Sequence, residues 1–190
     1  MQKNLLIVFA KNKELGKVKT RLAKTIGDEA AFQVYEKLYH ITEKASCAVR
    51  NATVQVYYSN EIDPNAWVNC EQFVQQGADL GARLKTAFEA GFASGYQRII
   101  GIGADLPEIT AAVIENAFQS LENHDFVFGP ADDGGYYLVG VNGDSGLYIF
   151  DDKPWSTEGL LDLTKAEIES KQDTVSLLEY MNDIDTIDDL

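Results

Sequence analysis

Short apolar runs alternate along this chain with stretches of helical spacing. Leu5, Leu6, Ile7, Val8 and Phe9 form an unbroken apolar run, which predicts a buried strand over 5–10. After Asp28, the residues Ala31, Val34, Tyr35, Leu38, Ile41 and Ala45 recur at helical spacing for about five turns. Alternation of Val54, Val56 and Tyr58 predicts a strand over 53–59, and 71–75 is a shorter strand candidate. Leu80, Leu84, Ala87, Phe88 and Gly91 mark a second amphipathic helix, with Asp79 as a candidate cap and Gly95 as its stop. Residues 98–103 read as a strand, and Thr110 opens a helix carrying Val113, Ile114, Ala117, Phe118 and Leu121. Two strands, 126–128 and 136–141, flank the turn chemistry of Gly129-Pro130-Ala131-Asp132-Asp133-Gly134-Gly135. A helix capped by Thr157 and ending near Ser170, then a strand over 174–178, complete the pattern.

Strands and helices alternate from residue 5 to about 130, the pattern of a mostly parallel α/β sheet covered on both faces. The strand over 136–141 breaks the alternation and enters as an antiparallel member. Ligands of such sheets bind beyond the carboxyl ends of the strands. Three chemistry-bearing segments follow strands there: the loop after 5–10, Asp105, and Asp132-Asp133.

Charge sharpens this picture. The 190 residues hold 16 Lys+Arg against 30 Asp+Glu, a net charge of −14. Yet Lys11, Lys13, Lys17, Lys19, Arg21 and Lys24 crowd one short segment after the first strand. A glycine-bearing basic loop in that place suits phosphate groups, which meet backbone N–H groups and fixed cations together; the plainer alternative is a solvated helix start. The overall charge disfavours nucleic acid and acidic membrane surfaces as partners. Cys47 and Cys70 lack metal or redox spacing, and no signal-like or membrane-inserting segment opens the chain, so the expectation is a cytoplasmic protein with free thiols.

Familiar catalytic signatures are missing. There is no Walker pattern, no Gly-x-Ser-x-Gly elbow and no zinc-like cluster, and Gly101-Ile102-Gly103 lacks the third glycine of a dinucleotide fingerprint. Asp105, leaving a strand's carboxyl end, offers a hard oxygen ligand suited to Mg²⁺ or Mn²⁺. Asp132-Asp133-Gly134-Gly135 is either a hairpin turn or part of a site. The segment Gly77-Ala78-Asp79-Leu80-Gly81-Ala82-Arg83 is either a helix start or a loop beside a base or sugar.

Five motifs in order resemble one family: Gly16-Lys17-Val18-Lys19-Thr20-Arg21-Leu22, Gly77-x-x-Leu80-Gly81-x-Arg83, Gly103-Ala104-Asp105-Leu106-Pro107, Gly129-Pro130-Ala131-Asp132-Asp133-Gly134-Gly135-Tyr136-Tyr137-Leu138 and Trp155-Ser156-Thr157. The chain is similar to the bacterial DUF2064 glycosyltransferase-like family, within the nucleotide-diphospho-sugar transferase superfamily of GT-A fold. Its tail, Asp183-Ile184-Asp185-Thr186-Ile187-Asp188-Asp189-Leu190, resembles the Ile-Asp-Thr ending of superfamily nucleotidyltransferases. The resemblance implies one GT-A-like three-layer domain over 1–190, with a mostly parallel sheet and an antiparallel strand. It implies nucleotide and phosphate roles for Lys11, Gly16, Lys17, Lys19, Thr20, Arg21, Gly77, Gly81 and Arg83. Lys19, Arg21 and Asp133 are the expected catalytic residues. Asp132, Asp133, Gly134, Gly135 and Tyr136 are expected to shape the acceptor side. Asp105 and Asp185 are expected to share a divalent metal, Mg²⁺ or Mn²⁺.

Three functions fit these expectations. The first is metal-dependent nucleotidyl transfer from a nucleoside triphosphate to a phosphorylated small molecule, which needs cations and a metal but no general base. The second is glycosyl transfer from a nucleotide sugar, with Asp132 or Asp133 as base. The third is a nucleotide-binding domain without catalysis.

Overall fold

The protein is described by a computed structural model covering residues 3–190. Its centre is a seven-stranded sheet with strands β1 (Asn4–Ala10), β2 (Thr53–Tyr58), β3 (Glu71–Val74), β4 (Arg98–Gly103), β5 (Phe126–Pro130), β6 (Tyr136–Asn142) and β7 (Val175–Leu177). The spatial order is β3-β2-β1-β4-β6-β5-β7. Every neighbouring pair is parallel except those made by β6, which runs antiparallel to both β4 and β5. Helices α1 (Thr20–Ile26), α2 (Asp28–Cys47), α3 (Leu80–Ala93), α4 (Ala111–Ser120) and α5 (Leu160–Ser170) cover it, with 3₁₀ turns at Asp144–Phe150 and Ile187–Asp189.

The continuous apolar reading of β1 follows from burial on both faces. Leu6, Val8 and Ala10 join a core with Tyr35 and Tyr39 of α2 and Ile114 and Phe118 of α4. Leu5 and Ile7 point the other way, to a second core with Leu84 and Phe88 of α3, Phe150, and Leu161 and Ile168 of α5. Successive strand residues thus alternate between two helical layers. Gly101 of β4 leaves room for Phe88: a Cβ there would stand 3.1 Å from the ring.

The caps expected at Asp79 and Thr110 form, each side chain accepting from a backbone N–H three residues on. Three elements differ from the sequence reading. The basic segment contains α1, entered through Lys19 in a left-handed conformation (φ 46°). Seven residues with one fully buried side chain, Leu22, are too short to print a clear period. The 3₁₀ turn Asp144–Phe150 likewise left no period. Thr157 does not cap α5; its hydroxyl donates to the Pro154 carbonyl at 2.6 Å, and Gly159 (φ 87°) precedes the helix. No helix among the described residues is long and apolar enough to cross a membrane.

Candidate functional site

The sheet order decides what can meet. From β1 the chain moves outward through β2 and β3, then returns to β4 on the other side of β1. That reversal opens a crevice at the carboxyl ends of β1 and β4. Since β6 is antiparallel, the β5–β6 turn lies at the same edge, as does the segment leaving β7. Residues after β7 are stitched beside the turn. Leu178 and Met181 donate their N–H groups to the Phe128 and Pro130 carbonyls, Tyr137 donates to the Glu179 carbonyl, and Asn182 exchanges two hydrogen bonds with Asp132. The tail is thereby delivered to Asp105, 80 residues before Asp185.

At the junction the Lys19 ammonium lies 3.1 Å from Asp105 Oδ2 and 3.0 Å from Asp185 Oδ1. Arg21 reaches Asp185 Oδ2 at 3.3 Å. Burial alone pulls the Lys19 pKa down, but attraction to Asp105 and Asp185 outweighs it and holds the pKa above its ordinary value. Asp185 is not a cap. Thr186 and Asp189 form the capping box of the final 3₁₀ turn, which leaves the Asp185 carboxylate to the lysine and arginine.

Asp183 completes the cluster, and sequence reasoning assigned it no role. One carboxylate oxygen from each of Asp105, Asp183 and Asp185 lies within 4.8 Å of the others. Burial first, then the charges of Asp105 and Asp185, push the Asp183 pKa up to about 6. Like charges at such a distance repel by about 3 kcal/mol per pair at an effective dielectric of ~20. Lys19 and Arg21 are two cations against three carboxylates, so the donor set, all hard oxygen, fits a divalent cation.

The Asp183 shift has a readable consequence. A folded pKa raised from about 4 to about 6 gives stability that is complete below the unfolded value and lost as pH rises through 6. With chelator present, Asp183→Asn is expected to raise stability at pH 8 by about 1 kcal/mol, discounted for partial exposure, and to change little at pH 4. Thermal unfolding at the two pH values checks this.

Three cavities meet at Asp105. A small one of about 110 Å³ is lined by Lys11, Lys19, Thr20, Arg21, Tyr35, Asp105 and Asp185. A second, of about 360 Å³, runs over the ends of β1 and β2 and includes Lys11, Tyr35, Ser59, Gln75, Arg83 and Asp105. The third, of about 240 Å³, lies between α3, β4, the β5–β6 turn and Trp155. Tyr35 borders two of them and donates its hydroxyl to the Lys11 carbonyl at 2.9 Å. Its sequence position showed only a core-facing helical residue.

The expected nucleotide residues divide accordingly. Lys11, Lys19, Thr20 and Arg21 share the small cavity, and Arg83 borders the second. Gly16 and Lys17 line none of the three; Lys17 pairs with Glu14. Gly77 and Gly81 also stand outside. Gly77 accepts from Arg83 Nε at 3.1 Å, and Gly81 is where α3 packs against Trp155 and Phe150. A Cβ at Gly81 would collide with the Trp155 indole nitrogen and stand 2.7 Å from the Phe150 carbonyl oxygen. Gly81→Ala is therefore expected to destabilise by about 1–3 kcal/mol, measured by denaturant unfolding.

Of the residues expected to shape an acceptor side, Asp133, Gly135 and Tyr136 line the third cavity, whereas Asp132 is engaged with Asn182 and Gly134 faces the start of α5. Asp132–Gly135 forms a turn, two of whose residues, Asp133 and Gly135, border that cavity: Gly134 N–H donates to the Ala131 carbonyl, and Asp133 Oδ1 accepts from Gly135 N–H at 2.9 Å. Among the described residues no lysine, arginine or histidine lines this cavity. A phosphorylated acceptor placed there would meet no basic side chain of the cavity.

These features define the nucleotide-diphospho-sugar transferase fold. The crystal structure of a candidate nucleotide-diphospho-sugar transferase from Desulfovibrio desulfuricans G20 is 30% identical, with a TM-score of 0.89 over 98% of this chain and 84% of that one. The chain belongs to the family described as "Uncharacterized protein conserved in bacteria (DUF2064)", whose model matches residues 43–157. More distant structures share the fold alone. CMP:2-keto-3-deoxy-manno-octonic acid synthetase complexed with CTP is 12% identical, covering 97% of this chain and 93% of that one, with a TM-score of 0.58. Rv0371c of Mycobacterium tuberculosis H37Rv, solved with manganese, is 13% identical over 98% and 95%, with a TM-score of 0.57. No curated protein matches the chain.

Proposed function

We propose that this chain is a single-domain, nucleotide-dependent transferase that moves a nucleotidyl group from a nucleoside triphosphate to a small-molecule acceptor. The observation that carries this reading is the convergence of three basic side chains, Lys11, Lys19 and Arg21, with Asp105 and Asp185 around one cavity. Polyphosphate needs fixed cations, and phosphoryl chemistry needs little else beyond positioning and charge stabilisation. The base and ribose occupy the neighbouring cavity by Tyr35, Ser59, Gln75 and Arg83. The third cavity receives the acceptor, with Asp133 placed to orient it.

Asp105, Asp183 and Asp185 would hold Mg²⁺ or Mn²⁺, which supplies charge neutralisation on the reacting phosphates when bound. Lys19 holds Asp105 and Asp185 together and keeps its proton. Lys11 and Arg21 bind the outer phosphate oxygens, and Tyr35 keeps the Lys11 backbone in place through its hydrogen bond. The likeness to a synthetase solved with CTP and a protein solved with manganese supports nucleotide and metal binding on this fold.

Glycosyl transfer from a nucleotide sugar is the second reading, favoured by one observation: the aromatic, cation-free cavity adjoining Asp105. A thermal-shift panel separates the two. Binding at 100-fold above the dissociation constant stabilises by about 2.7 kcal/mol. Triphosphates that stabilise only with Mg²⁺ or Mn²⁺, and more than nucleotide sugars do, support nucleotidyl transfer. Nucleotide sugars that stabilise more replace it with glycosyl transfer, and no response to either class removes both.

A further inference from the structure

The cavity between α3, the β5–β6 turn and Trp155 has a lining that discriminates between acceptors. Its charged groups are Asp105, Asp133 and Asp183, all acidic. No basic side chain among the described residues offsets them there. Tyr136 and Trp155 form an aromatic wall, their rings edge to face with centroids 6.4 Å apart. Tyr136 also keeps its hydroxyl buried without a hydrogen-bond partner, although it lines the cavity.

Each feature excludes a class. A phosphate or carboxylate group would meet the Asp133 carboxylate and no basic side chain, and a divalent cation held by Asp105 and Asp183 would be engaged by the triphosphate, an arrangement that disfavours a second anion. An ammonium would suit the carboxylates and the aromatic wall. It has no lone pair, however, and so cannot accept from the Tyr136 O–H, whose donor would stay unsatisfied. A hydroxyl both donates to carboxylates and accepts from a phenol. At about 240 Å³ the cavity falls below the usual range of ~300–1,000 Å³ for drug-sized ligands, which suits one small ring or chain.

We infer that the acceptor is an uncharged polyhydroxy compound, a sugar or polyol without phosphate, held between Asp133, Asp183 and the Tyr136–Trp155 wall. The inference rests on the reading of this cavity as the acceptor side. In the transfer, an acceptor hydroxyl oxygen bonds to the α-phosphorus of the triphosphate. The bond from that phosphorus to the oxygen bridging to the β-phosphate breaks. Pyrophosphate leaves with the electron pair, and the hydroxyl proton passes to the Asp133 carboxylate. Unlike an ionised phosphate nucleophile, a hydroxyl needs this base.

Trp155 supplies the test, since the second tryptophan, Trp67, is 1% exposed and remote from the cavity. Trp155 fluorescence is titrated with a panel of neutral hexoses, pentoses and inositols, with their monophosphates, and with ethanolamine and choline. The protein is used alone and with Mg²⁺ plus a non-hydrolysable nucleoside triphosphate. The expected result is a saturable response to neutral members, with the matching phosphates and the amines at least about tenfold weaker. In Tyr136→Phe, affinity for the responding sugar is expected to fall roughly two- to tenfold, while stability without ligand stays level or rises, because the lost hydroxyl had no partner. A preference for phosphates or amines, or no response to any neutral member, overturns the inference. Calorimetry of the triphosphate on the same samples keeps the two readings apart. If the triphosphate binds and neutral sugars do not, only this inference fails. If neutral sugars bind and the triphosphate does not, the nucleotidyl reading fails and the ligand class stands.

Discussion

Asp105→Asn is expected to lower turnover by about 100- to 1,000-fold, the scale of removing one electrostatic stabiliser from a reacting centre. Asp105 borders all three cavities, so in the proposed reaction it stands where base, phosphates and acceptor would come together. Asparagine keeps the shape and one oxygen but removes the charge that a divalent cation requires. Stability should change by less than about 1 kcal/mol, because the carboxylate is 40% exposed and its pair with Lys19 is partly screened. A turnover assay beside a denaturation curve separates the effects. Near-normal turnover in a folded variant would remove Asp105 from the reaction.

Lys19→Met is expected to give the second largest effect, a loss of nucleotide affinity of about ten- to a hundredfold, as for a charge-assisted hydrogen bond. The lysine side chain is 5% exposed and bridges two carboxylates. Methionine fills similar space and leaves Asp105, Asp183 and Asp185 repelling one another. Stability without metal should fall by about 1 kcal/mol, since the carboxylates remain partly hydrated. Added Mg²⁺ or Mn²⁺ should restore that stability in the variant more than it adds to the wild type. Unchanged nucleotide affinity, measured by calorimetry, would assign Lys19 to structure alone.

The fold was legible where burial writes directly into the sequence. β1 lies between two parallel neighbours and β4 between β1 and the antiparallel β6, both covered on two faces, so their middles read as apolar runs, Leu5 to Phe9 and Ile99 to Ile102. The antiparallel entry of β6 was legible from the break it makes in the alternation of strands and helices. Helix α1 was legible only as the alternative helix start in the basic segment: seven residues with one buried side chain leave no period to count. The meeting of Asp105 and Asp185 was expected from the resemblance of the tail. Asp183, two residues earlier, carried no signal of its own, because its role depends on backbone bonds between the tail and the β5–β6 turn. The basic segment shows the limit from the other side. A sequence counts cations without revealing which acids they face. In the fold Lys13 pairs with Asp63 and Lys17 with Glu14, while Lys19 and Arg21 turn to the aspartates.

Whether the three aspartates hold a divalent cation with nucleotide is the claim on which the functional account depends. Titration of Mn²⁺ followed by electron paramagnetic resonance, with and without a nucleoside triphosphate, tests it most directly. The account predicts about one Mn²⁺ per chain, bound more tightly with the triphosphate present and lost in Asp105→Asn and Asp185→Asn. Undiminished Mn²⁺ binding in the combined Asp105→Asn, Asp185→Asn variant would contradict it.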